Sequence, residues 1–314
     1  MLLERPIFWL GLAGLSPPQR ALLTACLPAE PGSLPAWRVA KFSEADAWCV
    51  SGAAAQLTDE GHLLVPDSRR GQPDITIDFS KLDRPLAFTK PLAWDELAPL
   101  DQFDPASERA VQMTLKKFET ALQGLRAQFS LGAFIRRSLP DLQPLAYHVV
   151  HRTTLLAVVD LSLRHVHYLA DVSPLQLEQA VWLARQPSGD LASGTAAATA
   201  KFAQASLSEI MWQFAQRSAA DVLPEQFETG AIRLRHAPRV PKAWLKESQL
   251  TLLRMLAARP TSLGELLQQN ASFNRAQLGR DLAGLYFDGA IASSHVDVAW
   301  LPASGHSSRS ALLG

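Results

Sequence analysis

Residues 248–298 carry the pattern that most constrains how this chain folds. Leu250, Leu253, Met255 and Leu256 recur at helical spacing and stop at Arg259-Pro260, and a proline closes a helix at or before the residue ahead of it. Thr261 and Ser262 supply a cap for a short second helix holding Leu263, Leu266 and Leu267. After the polar break Gln269-Asn270-Ala271-Ser272, Asn274 opens a third helix with Leu278, Leu282, Leu285 and Tyr286 facing inward. Asp288-Gly289 ends it, and Ala290–Val298 alternates as a strand does.

This order of elements resembles a winged helix-turn-helix. The resemblance implies a trihelical core with a hairpin wing, a fold that reads DNA and also binds proteins. In the DNA-reading versions the exposed face of the third helix meets base edges, where Arg, Asn and Gln are the useful side chains. Asn274, Arg275, Gln277 and Arg280 stand at that face here. Upstream, Arg233, Arg235, His236, Arg239, Lys242 and Lys246 form a proline-broken basic segment suited to phosphate contact. Asp281 and Asp288 flank the expected reading face, and the expected wing, Ser293-Ser294-His295-Val296-Asp297, has no Lys or Arg. A protein-binding role for the module therefore stands beside the DNA-binding one.

The chain has 314 residues, 47% of them hydrophobic, enough for two or three cored domains. Its charge is unevenly spread. Residues 1–106 hold 9 Lys or Arg against 14 Asp or Glu, residues 107–232 hold 11 of each, and residues 233–314 hold 10 against 5. An acidic front and a basic tail fit a regulator with a nucleic-acid or acidic-protein output. Cys26 and Cys49 are the only cysteines, so neither a disulfide framework nor an all-Cys zinc site is available. The apolar stretch Ile7–Leu15 lacks a cleavage site before Pro17-Pro18 and reads as a buried strand, not a signal peptide. No run approaches the ~18 apolar residues of a membrane span. A cytoplasmic, bacterial-type protein without a membrane partner is expected.

The first hundred residues read as α/β. Ile7–Leu12 has the continuous apolar character of a strand covered on both faces, and Ser16-Pro17-Pro18 caps a helix continued by Leu22, Leu23 and Cys26. Further strands are expected over Trp37–Phe42, Ala47–Val50, Asp74–Phe79 and Pro85–Thr89. The spacing resembles a response-regulator receiver domain with its chemistry missing. Asp46 leads five positions later to Ser51, where receivers carry the phosphorylated Asp. Ser80 matches the Ser/Thr after the fourth strand, and Lys90-Pro91 the Lys-Pro after the fifth. Gly11-Leu12-Ala13-Gly14 occupies the place of the acidic pair, so there is neither an oxygen cage for magnesium nor a phosphoryl acceptor. The resemblance implies a degenerate receiver that aspartyl phosphorylation does not switch. Two glycines at that spacing make a tight strand-to-helix turn or approach a phosphate.

Beyond a polar hinge at Asp101–Pro105, Val111, Leu115, Phe118, Leu122, Leu125 and Phe129 form a heptad-like seam. It packs either onto its own protein or, as a homodimer helix over residues 107–137, onto a second copy. Tyr147–Val150, Leu155–Leu161 and His165–Leu169 read as an antiparallel meander, Ser173-Pro174 opens a helix through Trp182, and Lys201–Arg217 is helical with Phe202 on its apolar side. Residues 187–199 read as a linker-like loop. His165 and His167 share one strand face, as two metal ligands would, whereas His148 and His151 fall on opposite faces.

The expected organisation is an α/β receiver-like domain over 1–106, a connecting helix over 107–140, an α+β middle unit over 141–232, and a winged-helix domain with a basic leader over 233–314. The expected function is a non-enzymatic regulator, associated with signalling or transcription, with no cofactor. Its input is a signalling protein or a small-molecule or nucleotide ligand, and its output is duplex DNA through the winged helix. The alternatives are a protein–protein adaptor and a metal-dependent enzyme centred on the middle histidines.

Overall fold

The computed structural model describes residues 3–28, 35–66, 74–91, 101–184, 202–271 and 273–294. It is mixed α/β and divides into two compact units, one of residues 4–126 and one of residues 1–3 with 127–314.

The first unit is built on a parallel sheet of β1 (Ile7–Ala13), β2 (Ala36–Ala40), β3 (Ala47–Ser51), β7 (Leu86–Thr89) and β8 (Asp101–Phe103). Its spatial order is β2-β1-β3-β7-β8, the 2-1-3-4-5 order of flavodoxin-like doubly wound sheets. All seven residues of β1 are buried, because both sheet faces are covered. On one face Phe8, Leu10, Leu12, Cys49 and Ala87 meet helices α1 (Pro17–Ala25) and α2 (Glu108–Ala121) through Leu23, Val111, Leu115 and Phe118. On the other, Ala13, Val50, Leu86 and Phe88 meet Leu63, Val65 and Ile77. These last three belong to a small antiparallel sheet of β4 (Gln56–Leu57), β5 (His62–Val65) and β6 (Ile75–Asp78). Where a doubly wound fold has a crossover helix, this chain has that sheet. The segment Asp101–Pro105, expected as a hinge, contributes the fifth parallel strand.

The heptad-like seam is neither one helix nor open to a second chain. Leu122 breaks it with φ −90° and ψ 15°, ending α2 before α3 (Gln123–Ser138) begins. Val111, Leu115, Phe118 and Leu122 are buried in the first unit's core, and Phe129 in that of the second. A homodimer through this stripe would need apolar side chains that already pack inside their own chain.

The second unit joins what the sequence separates into a middle unit and a C-terminal module. Its five-stranded antiparallel sheet has the order β12-β9-β10-β11-β13. The strands are β9 (Ala146–His151), β10 (Thr154–Asp160), β11 (His165–Tyr168), β12 (Val181–Ala184) and β13 (Ala203–Ser206). The inner face carries Tyr147, Val149, Val159, Val166 and Tyr168. The helix expected from Ser173 through Trp182 is only α4 (Pro174–Glu178). The chain then turns into β12, so that Trp182 points inward and stacks on Phe134 at 5.0 Å. Likewise β13 replaces the first turn expected of the Lys201–Arg217 helix, leaving α5 as Leu207–Arg217 with Ser206 as its cap. The linker-like stretch 187–199 lies outside the described residues.

The remaining elements are α6 (Gln226–Thr229), β14 (Ala231–Leu234), α7 (Glu247–Ala258), β15 (Thr261–Ser262), α8 (Leu263–Gln269), α9 (Arg275–Asp288) and β16 (Ile291–Ser293). Strand β14 lies between β15 and β16. The expected wing beyond Ser294 lies outside the described residues. Helix α9 is capped by the Asn274 side chain accepting from Gln277 N, and closed by Gly289 at φ 80°. One continuous hydrophobic cluster runs from Phe129 and Tyr147 through Trp212 and Phe214 to Leu282 and Phe287, so α5 and α9 are its common centre.

Two glycines let helices approach α5 closely. A Cβ on Gly132 would lie 2.6 Å from Phe214 Cβ and 3.0 Å from Ile210 O, whereas Gly124 in the same helix α3 faces open space. Gly132→Ala is therefore expected to destabilise the protein by about 1–3 kcal/mol despite alanine's better helix propensity. Gly124→Ala should leave stability equal or slightly raised. Urea denaturation of the two variants beside the parent checks the contrast.

Candidate functional site

The four residues expected to face DNA bases are held by the fold itself. Asn274 is the cap of α9. Arg275 Nη2 pairs with Asp221 Oδ2 at 3.1 Å and also with Glu228 Oε1. Gln277 Nε2 donates to Asp281 Oδ1 at 3.0 Å, and Arg280 Nη2 donates to Gln277 Oε1 at 2.9 Å. Arg280 is only 8% exposed. From Leu278 to Leu285 every residue of α9 is buried, Arg280 among them, while in the first turn Asn274 is exposed and Arg275 and Gln277 are half-buried.

The cover is α5. Gly284 lies against the face of Trp212, where a Cβ would come within 3.0 Å of Cε3, and Phe214 and Phe287 rings stand 6.2 Å apart. At about 1.5–3 kcal/mol per fully buried large apolar side chain, exposing these three aromatics alone would cost roughly 5–9 kcal/mol. That is comparable to the whole stability of an ordinary domain. Helix α5 is a core element here, not a lid over α9.

A polar network sits inside this contact. Gln249 Nε2 on α7 donates to Gln216 Oε1 on α5 at 3.0 Å and to Asp281 Oδ1 on α9 at 2.7 Å. Gln216 Nε2 donates to the Arg280 carbonyl at 3.1 Å. Burial pushes the Asp281 carboxyl above the usual carboxylate range, opposed by the Lys246 charge and by hydrogen bonds from Gln249, Gln277 and Gln216. Lys246, expected as a phosphate contact, is thus half-buried with its charge acting on Asp281. Arg239 and Lys242 are exposed as expected. So are Arg233 and Arg235, on the side of β14 opposite the buried Ile232.

The receiver-like positions are only partly assembled. Asp46 precedes β3, and its Oδ2 accepts from Trp9 N at 3.0 Å, a structural bond between strands. Ser51 ends β3, 3% exposed, and is paired in register with Thr89. Ser80 does not follow a parallel strand. It lies in an exposed turn after β6, where its N–H and hydroxyl donate to Asp78 Oδ1 at 2.9 and 2.6 Å. The hydroxyl at the end of the fourth parallel strand is therefore Thr89, a residue the spacing argument missed because the inserted small sheet shifts the count. Lys90 is exposed after this fourth strand, not the fifth, and its peptide bond to Pro91 is cis.

Doubly wound sheets bind ligands at the strand-order reversal, here between β1 and β3. Gly14, at φ 68°, is packed there so tightly that a Cβ would lie 2.9 Å from Val65 Cγ1 and 3.2 Å from Ser51 Cβ. The following helix offers little to a phosphate. Pro17 and Pro18 lack N–H groups, and the Gln19 N–H is taken by Ser16 Oγ. The glycine pair makes a tight turn. Cys49 is buried, and burial drives its thiol far up, so it supplies no thiolate.

On the outer face of the five-stranded sheet, His165 and His167 have ring centroids 5.7 Å apart. The register adds two residues to that face. His148 and His167 both oppose Val158, and Asp160 opposes His165. His151 is turned elsewhere, with Nε2 3.1 Å from Gln179 Oε1. Among the described residues no group of three or more His, Cys, Asp or Glu side chains converges as a metal site would. No described helix is long and apolar enough to cross a membrane.

No family model, curated protein or solved structure matches this chain.

The buried carboxyl makes a signed pH prediction. A raised folded-state pKa means that the folded protein holds the Asp281 proton more tightly than the unfolded chain. Stability should then fall as pH rises from the unfolded carboxylate pKa through the raised folded one, by about 1.4 kcal/mol per unit of difference. Asp281→Asn keeps an acceptor for Gln249 and Gln277 and should flatten this part of the curve. Thermal melts of both proteins across the acidic range measure it, and an unchanged slope would refute the assignment.

Proposed function

We propose that this chain is a non-enzymatic regulatory protein, associated with signalling or transcription, that acts by binding another macromolecule. In this reading the C-terminal elements form a winged-helix-like module, and the first unit is a degenerate receiver-like input. The observation that carries the reading is the burial of α9. The helix with recognition-type composition uses Asn274, Arg275, Gln277 and Arg280 to cap, pair and brace its own unit, so the module's output surface lies outside that helix. Sequence-specific groove reading by α9 is therefore not the proposed mode of action. The receiver-like reading is supported by the strand order and by the lack of carboxylates at its key positions. It leaves partner or ligand binding, not phosphorylation, as the input.

The second reading, a protein–protein adaptor, is favoured by one observation. Edge strand β12 carries no charge and exposes Val181 and Leu183 at 55% and 51%, where natural edges usually carry charge or proline. Deleting residues 233–314 would not test it cleanly, since Leu252, Leu282 and Phe287 belong to the core shared with the antiparallel sheet.

Selection from a random duplex DNA pool at two salt concentrations tests the main reading. The expected result is no common motif among retained sequences. Arg280→Ala should lower stability by roughly 1–3 kcal/mol by leaving buried polar partners unmatched, while Arg275→Ala should cost under about 1 kcal/mol as an exposed ion pair. Enrichment of a motif that disappears in Arg275→Ala would overturn the reading and restore α9 as a reading helix.

A further inference from the structure

The chain's positive charge is concentrated in one short stretch. Residues 233–259 hold seven Lys or Arg (Arg233, Arg235, Arg239, Lys242, Lys246, Arg254 and Arg259) against a single acidic residue, Glu247. Lys246 is half-buried, and Arg233, Arg235, Arg239 and Lys242 are exposed. The fold presents these four from anchored backbone, not from a loose arm. Arg233 and Arg235 stand on the outer side of β14, about 7 Å apart by strand geometry, with the buried Ala292 opposite Arg233. The Arg235 N–H donates to the Ala290 carbonyl at 2.7 Å. The Arg239 N–H donates to Asp288 Oδ2 at 3.1 Å, and the next residue, Val240, is 4% exposed. Pro241 then leads into a 3-10 turn beginning at Lys242. Backbone fixed in this way loses little entropy when its cations meet a partner.

We infer that the outer side of β14 and the segment through Lys242 form a docking track for the phosphate backbone of duplex DNA, contacted without base readout. This deepens the regulatory reading above and rests on it. Charge complementarity identifies the partner, since a duplex is a dense, regular line of negative charge. Between its cations the track exposes Ala237, Pro241 and Ala243. Trp244, which ends the 3-10 turn, is half-buried and packs against the core, so among the described residues the track exposes no fully open apolar anchor of the kind that dominates protein interfaces or stacks single strands. The middle of α9 is buried, and contact along the track requires no helix in a groove.

The test uses the full chain and a fluorescent 25-base-pair duplex of arbitrary sequence, followed by anisotropy between 50 and 200 mM NaCl. Four phosphate contacts predict a log–log salt slope of about −3.6, or roughly a 100-fold loss of affinity over that range. Arg233→Glu with Arg235→Glu should abolish most binding, and Arg239→Ala with Lys242→Ala should lower the slope by about two. Melting curves of both variants should show each folded at the temperature of the binding measurement, so that lost binding is not lost fold. A duplex of unrelated sequence should bind equally. Absence of binding at 50 mM NaCl, or binding unchanged in both folded variants, would overturn the inference. So would displacement of the bound duplex by poly-glutamate at a lower concentration of negative charge than unlabelled DNA requires, since the track would then serve an acidic protein. These failures would leave the regulatory reading standing, because that reading falls only to an α9-dependent sequence motif.

Discussion

Trp212 lies on the backbone of α9 at Gly284, and much of the second unit depends on that contact. A side chain at residue 284 would force the indole away. The indole in turn belongs to α5, which also carries Phe214 against Phe129 on α3 and Phe287 on α9. The close approach merges an antiparallel sheet and a three-helix module into one core. Once merged, α9 is covered from Leu278 to Leu285 and keeps only its first turn and Tyr286 partly open.

The polar network between α5, α7 and α9 bears on specificity more than on stability. A buried carboxyl is costly unless its oxygens are matched. Asp281 is matched by amides from Gln249 and Gln277, on two different helices, and Gln249 also reaches Gln216 on a third. Sliding one helix by a turn would leave a carboxylate and several amides unmatched in an apolar interior, so the network fixes register where aliphatic packing alone would tolerate slippage. Gln277, one of the residues that give α9 its recognition-helix look, belongs to this internal network.

The first unit departs from a regular doubly wound sheet in a similarly local way. The strand order is that of a doubly wound sheet, but a three-stranded sheet takes the place of a crossover helix. Val65 from that sheet packs beside Gly14 and Ser51, where such folds hold their ligands. Ser51 and Thr89 stand side by side in register at the carboxyl ends of β3 and β7.

Local chemistry was readable from the residues. Ser16, Ser173 and Asn274 cap the helices expected of them, Gly289 closes α9 in the left-handed region, and the uninterrupted apolar run of β1 indicated a strand covered on both faces. These features depend on a few neighbouring positions and on backbone sterics, so sequence alone determines them. The charge concentration after Arg233 was equally plain. What only the tertiary structure decided is where each polar residue ends up. Arg280 and an exposed arginine look alike in sequence, as do a seam that packs on its own chain and one that pairs two chains. Trp182 fits a helical period but lies in β12, and Phe202 fits one but stands just ahead of β13, because cross-strand partners and, for Trp182, the stack on Phe134 outweigh local propensity. The covering of α9 between Leu278 and Leu285 has the same cause. Periodicity can show that a helix has an apolar side, but not whether a second helix such as α5 will cover the other one.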